Sequence, residues 1–486
     1  MTAATIDQSQ GADLQAQMQA VLDKQRQSYL KDGPPSYEQR MDRLQRSVDM
    51  LLRFEKEMCD AVNSDFGSRS PDQTLFTDVA GSIGPIKHTM KHLKGWMKSE
   101  KRKVQFPLGL LGAKARIDYQ PLGVVGVISP WNFPFQLTFA PFAGIFGAGN
   151  RMMIKPSEFT PASSEVIARM CAETFDETEV SVFTGGPEVG QAFSGLGFDH
   201  LLFTGATSIA KHVMRAASEN LVPLTLELGG KSPVVVSETA DLDVTAKRVM
   251  VGKTLNAGQI CLAPDYVYVP DGKVDEFVNK AEAAVTEMYP TLKDNPDYAS
   301  VVNERHYDRL NSYIEDAKAK GATVREINPA NEDFSQQAAH KIPPTIVVNA
   351  TDDMKIMQDE IFGPLLPIKT YKQVDEVIDY VNEKDRPLAL YYFGENKAEE
   401  NHVLNNTTSG GVSVNEVIMH VAQEDLPFGG VGPAGMGAYH GVDGFRQFSH
   451  KKAVFTQIGK RFDGLLNAVR PPYGPDLRKM AEQMMK

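Results

Sequence analysis

Cysteine is scarce in this chain: Cys59, Cys171 and Cys261 are the only three in 486 residues. So few cysteines, none beside a second ligand at a metal-binding spacing, exclude a disulfide framework and a zinc-ribbon site. No metal is expected, and a reducing compartment fits. Positive charge is also short. Lys and Arg number 51 against 62 Asp and Glu, giving a formal net charge of -11. Domains that bind a phosphate backbone carry a basic stripe, so nucleic acid is not an expected partner. No apolar run reaches the length of a membrane span, and the first twenty residues are polar and Gln-rich without the apolar core of a signal peptide. The expected location is the cytoplasm. The absence of a fixed-period repeat or low-complexity block sets solenoids and propellers aside.

What is present reads as an ordinary globular chain, 42% hydrophobic and 23% charged. It is too long for one core, so two large lobes sharing a cleft are expected. Residues 14–30 and 37–62 carry apolar residues at three- and four-residue spacing, the pattern of amphipathic helices. Residues 104–107, the turn 109–112 and residues 113–120 read as a projecting hairpin suited to a subunit contact. An alternation of strands (124–128, 152–155, 179–183, 201–204) with helices (135–146, 163–172, 208–218) follows, which is doubly wound α/β grammar. Strand 224–228 ends at Gly229 and Gly230. A second alternation then begins: strand 234–236, helix 242–255, strand 266–269 and helix 273–288. Near the end lie a short strand at 412–414, a Gly-rich loop at 428–437 and a further strand at 453–457.

Several positions carry chemistry. A lone cysteine is commonly structural, but Cys261 follows Asn256-Ala257-Gly258-Gln259-Ile260 just past a helix. Small residues there leave room for a substrate, and free backbone N–H groups can stabilise a thiolate. Glu227 ends an apolar strand before two glycines. A carboxylate facing a partly dry cleft has a raised pKa and can act as a general base near neutrality. Asn132, at a strand exit, carries an amide N–H suited to a developing oxyanion, with helix capping as its plainer reading. Lys155 and Glu158 emerge at the carboxyl edge of a parallel sheet, where nucleotides bind, although such a pair in isolation is often only solvated. Gly430, Gly432 and Gly435 satisfy G-x-G-x-x-G, yet no strand leads in and no helix opens after them, so the dinucleotide is not placed there. The segment 203–207, between a strand and a helix, suits a pyrophosphate better.

Together, segments 130–134, 155–158, 203–207, 226–231, 258–261 and 360–364 resemble the aldehyde dehydrogenase superfamily over nearly the whole chain. The Glu227-Leu228-Gly229-Gly230-Lys231 run with Cys261 placed 34 residues after Glu227 is the most specific part of the match. Segments 263–266, 387–391, 426–432 and 435–441 are similar to the class 3 branch, which includes fatty and coniferyl aldehyde dehydrogenases. Bacterial coniferyl aldehyde dehydrogenases are the most similar in length and N-terminal extension.

The resemblance implies an aldehyde dehydrogenase-like fold with a Rossmann-type cofactor domain, a catalytic domain and a small β oligomerisation arm. The cofactor domain is expected at 1–102 and 121–227, with 432–447 returning to it. The catalytic domain is expected at 228–431, the arm at 103–120 and 448–460, and a tail at 461–486. The implied activity is NAD(P)-dependent oxidation of an aldehyde to a carboxylic acid through a cysteine thiohemiacetal and thioester. In it Cys261 is the nucleophile, Glu227 the base, and Asn132 with the Cys261 N–H the oxyanion hole. Lys155 and Glu158 would hold the adenosine ribose. Gly205 and Thr207 would lie near the pyrophosphate, and Glu360 and Phe362 would position the nicotinamide end. Ser129, Pro130, Trp131, Ser157, Leu228 and Gly229 complete the cofactor-binding set. NAD is the expected cofactor, with NADP also open, and Ala210 replaces the glycine usual at its position. A homodimer joined by sheet edges is expected. The substrate is a small-molecule aldehyde, coniferyl or another aromatic one, with a medium- or long-chain aliphatic aldehyde as the alternative. A CoA-acylating dehydrogenase and a catalytically silent binding protein on the same fold are the rivals, and the retained Glu227 speaks against the first.

Overall fold

The computed structural model describes residues 8–485. Residues 1–7, the start of the polar N-terminal stretch, lie outside the described part. Among the described residues no helix is long and apolar enough to cross a membrane, and no cluster of three His, Cys, Asp or Glu side chains is placed to hold a metal ion.

Two sheets dominate, as the α/β alternation requires. The first has six strands in the order Gly435–Met436, Leu224–Glu227, His200–Thr204, Val124–Ile128, Arg151–Lys155 and Val180–Val182. All its pairings are parallel except the edge pair of Gly435–Met436 with Leu224–Glu227. Its central strands are buried on both faces, which explains why Val124–Ile128 and the middle of Arg151–Lys155, residues 152–154, read as continuous apolar runs rather than alternating ones. From Val124–Ile128 the chain first winds one way to 151–155 and 180–182, then returns to the other side at His200–Thr204. The carboxyl ends of those two neighbours, Ile128 and Thr204, therefore flank a topological switch point, where open α/β sheets form a ligand crevice.

The second sheet has seven strands, ordered Thr323–Glu326, Thr345–Val348, Leu365–Tyr371, Tyr266–Pro270, Pro233–Val236, Ala389–Phe393 and Gly411–Val414, all parallel except the first pair. One apolar core runs through both sheets, joining Val127, Ile154, Phe139 and Phe146 to Val234, Val267 and Tyr391. Each fully buried Phe of this kind contributes about 1.5–3 kcal/mol relative to exposure. A three-stranded antiparallel sheet of Glu100–Arg102, Lys114–Pro121 and Ser449–Thr456 stands apart.

Four expectations are corrected. The first hairpin strand is Glu100–Arg102 and not 104–107, because Pro107 removes a donor and residues 105–113 close a series of turns. The helix expected over 37–62 is two, Tyr37–Arg53 and Glu55–Phe66, divided at buried Phe54 with φ -100° and ψ 7°. The helix expected at 135–146 is also two, Gln136–Phe139 and Phe142–Ala148, divided at Pro141, which lacks the N–H that would continue the ladder. Within the Gly-rich loop, Gly435–Met436 is a short strand on the first sheet, with Gly435 opposite Glu227. Helix Pro187–Ser194 was not expected, although Pro187 at its first position and Val189, Ala192 and Phe193 at helical spacing mark it.

Candidate active site

The crevice is a cleft of about 790 Å³ between the carboxyl edge of the first sheet and the second sheet's loops. Eleven expected positions line it: Pro130, Trp131, Asn132, Gly205, Thr207, Glu227, Leu228, Gly229, Cys261, Glu360 and Phe362. Ser129, Lys155, Ser157 and Glu158 do not. Ser129 is buried, with its hydroxyl accepting from Thr138 Oγ1 at 2.7 Å. Lys155 Nζ meets Glu158 Oε2 at 2.6 Å at the end of the adjacent strand, and Ser157 Oγ accepts from the Phe159 N–H. Ala210 is 1% exposed and packs in the core beneath its helix, so its methyl faces the sheet and not the cleft.

Cys261 owes its position to an unusual turn. Helix Leu242–Thr254, capped by Asp241 on the N–H groups of Asp243 and Val244, runs into three consecutive left-handed residues: Asn256 (φ 51°), Ala257 (φ 50°) and Gly258 (φ 70°). Asn tolerates this region and Gly is at home in it; Ala is strained there. A Cβ at Gly258 would also sit 2.3 Å from the Gly363 carbonyl oxygen.

Hydrogen bonds pin the turn. Asn256 Nδ2 donates to the Asn132 carbonyl at 3.1 Å, Gln259 Nε2 donates to the carbonyls of Asn256 and Ser300, and Asn132 Nδ2 donates to the Gln259 carbonyl at 3.1 Å. Behind them Arg69 Nη1 donates to the Asn132 carbonyl at 2.7 Å, and Arg69 pairs with Asp78 at 2.5 Å, both side chains fully buried. Asp78 in turn accepts from the N–H groups of Phe135 and Gln136. One buried network thus ties Asn132 to the loop that carries the thiol.

The carboxylates are set by burial. Glu227 is 3% exposed and neither of its oxygens has a partner, so desolvation pushes its pKa well above the usual carboxylate range. Glu360 is pushed up to about 8 by burial and by the charge of Asp265, against a hydrogen bond from the Gly230 backbone and the cations Lys231 and Arg309. Its segment is held from three sides. Lys231 pairs with Asp265 and donates to the carbonyls of Ile356 and Asp359, Asp265 accepts from the Ile361 N–H, and Arg309 donates to the Ile361 carbonyl. That clamp holds Phe362 in a left-handed conformation, edge-on to Trp131 at 5.3 Å between ring centres. The Cys261 thiol is pushed up by burial and by Glu360 and Glu227, with the N–H groups of Cys261 and Leu262 acting in the opposite sense.

The N-terminus of helix Thr207–Ser218 also opens on the cleft, with Gly205, Ala206, Thr207 and Ser208 at its wall and no acidic residue in its first turn. Free N–H groups and the positive end of the helix dipole suit a pyrophosphate. An unpaired thiol, an unpaired buried carboxyl and an amide donor therefore face one cleft, whose wall also carries the N-terminus of a helix.

The aldehyde dehydrogenase family profile matches residues 2–454. The chain belongs to the aldehyde dehydrogenase family. As an aldehyde dehydrogenase it is an oxidoreductase that works with a nicotinamide dinucleotide, and the donors described above fit one. It is 64% identical over 473 residues to the "Probable coniferyl aldehyde dehydrogenase" of Caulobacter vibrioides, covering 97% of each chain. It is 54% identical to the coniferyl aldehyde dehydrogenase of a Pseudomonas species, covering 94% of each. Among solved structures, Staphylococcus aureus AldH in its substrate-bound state superposes with a TM-score of 0.89 at 36% identity, over 96% of this chain and 99% of that one.

Reading by segment missed the supports of this dehydrogenase's site. Asn256, Gln259, Lys231 and Asp265 fall in segments singled out above but without this role, while Arg69, Asp78 and Arg309 act through contacts between residues far apart in the chain and no local spacing marks them.

Proposed function

We propose that this aldehyde dehydrogenase oxidises an aromatic, cinnamyl-type aldehyde such as coniferyl aldehyde to its carboxylic acid, with Cys261 as nucleophile and Glu227 as general base. The observation that carries the roles is Glu227: a buried carboxyl with both oxygens unpaired, on the same cleft as the thiol. Sulfur attack on the aldehyde carbon moves charge to the aldehyde oxygen. One Asn132 amide hydrogen is committed to the Gln259 carbonyl and the second is free for that oxygen, together with the Cys261 N–H. When bound, the nicotinamide supplies the hydride acceptor. Glu227 then takes a proton from the water that hydrolyses the Cys261 thioester, a task its raised pKa suits.

The aromatic choice rests on the likeness to the two coniferyl enzymes over almost the full chain. NAD is the preferred cofactor in this reading, because the Glu158 carboxylate would repel a 2'-phosphate; competing NAD and NADP titrations decide it. The Ser449–Thr456 strand leaves one edge of the small sheet free for a second copy, so the active form is a homodimer, and a monomeric mass in solution would refute that.

The test is Glu227→Gln. A pre-steady-state burst of NADH with coniferyl aldehyde, followed by turnover slowed roughly 10²-fold or more, is expected. A variant with neither burst nor slower turnover places the base elsewhere.

A further inference from the structure

Helix Glu304–Ala319 lies beside the segment that carries Glu360 and Phe362. Arg309, Tyr313 and Asp316 recur at three- and four-residue spacing, so they form one stripe on that helix. Each reaches the segment. Asp316 Oδ2 accepts from the Lys355 N–H at 2.8 Å, the Tyr313 hydroxyl donates to Asp359 Oδ2 at 3.0 Å, and Arg309 donates to the carbonyls of Ile361 at 2.8 Å and Phe362 at 3.4 Å. Advancing along the helix therefore moves back along the segment, as in a splint laid antiparallel to it. Leu310 packs in the same seam, where a Cβ at Gly363 would fall 2.3 Å from Leu310 Cδ2.

The Tyr313 bond differs from the other two. Arg309 and Asp316 hold backbone atoms, whereas Tyr313 holds a side chain, that of the residue directly before Glu360. The Asp359 carbonyl accepts from Lys231 Nζ at 2.8 Å, so Asp359 is tied through its backbone to one partner and through its carboxylate to another. Tyr313 is itself well placed for this: its ring is 4% exposed and lies 5.3 Å from the Arg309 guanidinium, which fixes the direction of the hydroxyl. Tyr313, Asp359, Glu360 and Phe362 all line the cleft, and Glu360 Oε1 is buried with no partner, an acceptor left for a ligand. A group that must meet a ligand to within about 0.5 Å needs neighbours locked by packing and hydrogen bonds. The Tyr313–Asp359 bond supplies such a lock one residue away from Glu360.

We propose that Tyr313 is a positioning residue for the nicotinamide dinucleotide: by holding the Asp359 carboxylate it fixes Glu360 and Phe362 for the nicotinamide end of the cofactor. This rests on the cofactor-side roles that the family resemblance implies for Glu360 and Phe362.

The experiment measures Kd by isothermal titration calorimetry, with NAD and with AMP, for the wild type, Tyr313→Phe, Asp359→Ala, the double variant and Glu360→Gln. Tyr313→Phe keeps the packed ring and removes only the hydroxyl. A hydrogen bond to a charged group corresponds to about 10- to 100-fold, and water competes for the exposed Asp359, so the Kd for NAD should rise about 3- to 10-fold. AMP lacks the nicotinamide end, and its Kd should stay within about twofold, the scatter of independent sites. A variant that had merely lost structure would weaken both ligands. In the Asp359→Ala background the loss of the hydroxyl should add no more than that scatter. Unchanged NAD affinity in Tyr313→Phe, an equal loss for AMP, or a full further loss in the Asp359→Ala background overturns the assignment, the last because the hydroxyl would then meet the cofactor itself. Failure of the underlying reading looks different: Glu360→Gln would then bind NAD as the wild type does, whereas failure of the Tyr313 role alone leaves Glu360→Gln weakened and Tyr313→Phe intact.

Discussion

A Cβ built on Gly229 falls 2.3 Å from Oε1 and 2.4 Å from Oε2 of Glu360. Gly229 is not among the positive-φ residues, so Gly229→Ala meets no left-handed backbone strain, and the three atoms nearest the added Cβ all belong to Glu360. Glu360 has little room to yield, because its own segment is tied by Lys231, Asp265 and Arg309. Overpacking of this kind costs about 1–3 kcal/mol. If Glu360 is the only obstacle, the same substitution in a Glu360→Ala background should cost less than about 0.5 kcal/mol, a coupling well above the scatter of independent sites. Chemical denaturation of the four proteins measures the cycle. Cofactor affinity, followed through the fluorescence of Trp131 on the cleft wall, should fall in Gly229→Ala because the displaced carboxylate enters the space beside Phe362. Equal costs in the two backgrounds would refute the argument that this glycine exists to admit Glu360.

Two further outcomes follow from burial. Arg69→Met strands Asp78 in the core without its partner, which should cost about 3–5 kcal/mol and lower kcat by loosening Asn132. Adding Asp78→Leu should restore stability but not kcat, and recovery of both would show that Arg69 does not act through Asn132. For Cys261, burial and the nearby carboxylates raise the thiol, so the thiolate is scarce below the ordinary thiol range and grows only as pH climbs past it. Alkylation of the cofactor-free enzyme by iodoacetamide at pH 7, read by peptide mass spectrometry, should be slower than that of a small free thiol and should speed up with pH and in Glu360→Gln. Labelling at pH 7 as fast as a free thiol would contradict this.

The α/β class and most strand positions were readable in the sequence because strands buried on both faces must be apolar throughout. The cofactor-side segments were readable because glycine beside Glu227 and small residues before Cys261 mark close approach. The breaks were harder. The stop at Phe54 reflects burial of that ring, which no helical spacing shows, whereas the break at Pro141 was available from the missing N–H alone. Within the Gly-rich loop, the two-residue strand facing Glu227 depends on a partner some two hundred residues earlier.

The chain's own order of residues determined which groups are capable of the chemistry: a thiol, a carboxyl at a strand end, an amide at a strand exit. Their reactivity was decided only when folding buried Glu227 and drew Glu360 and Cys261 to the half-buried wall of the cleft, since the free energy of a charge depends on what surrounds it and not on its neighbours in sequence. The same holds for Arg69 and Glu424, ordinary charged residues on paper. Long-range packing leaves the first without solvent beside Asp78, and leaves an oxygen of the second buried without a partner.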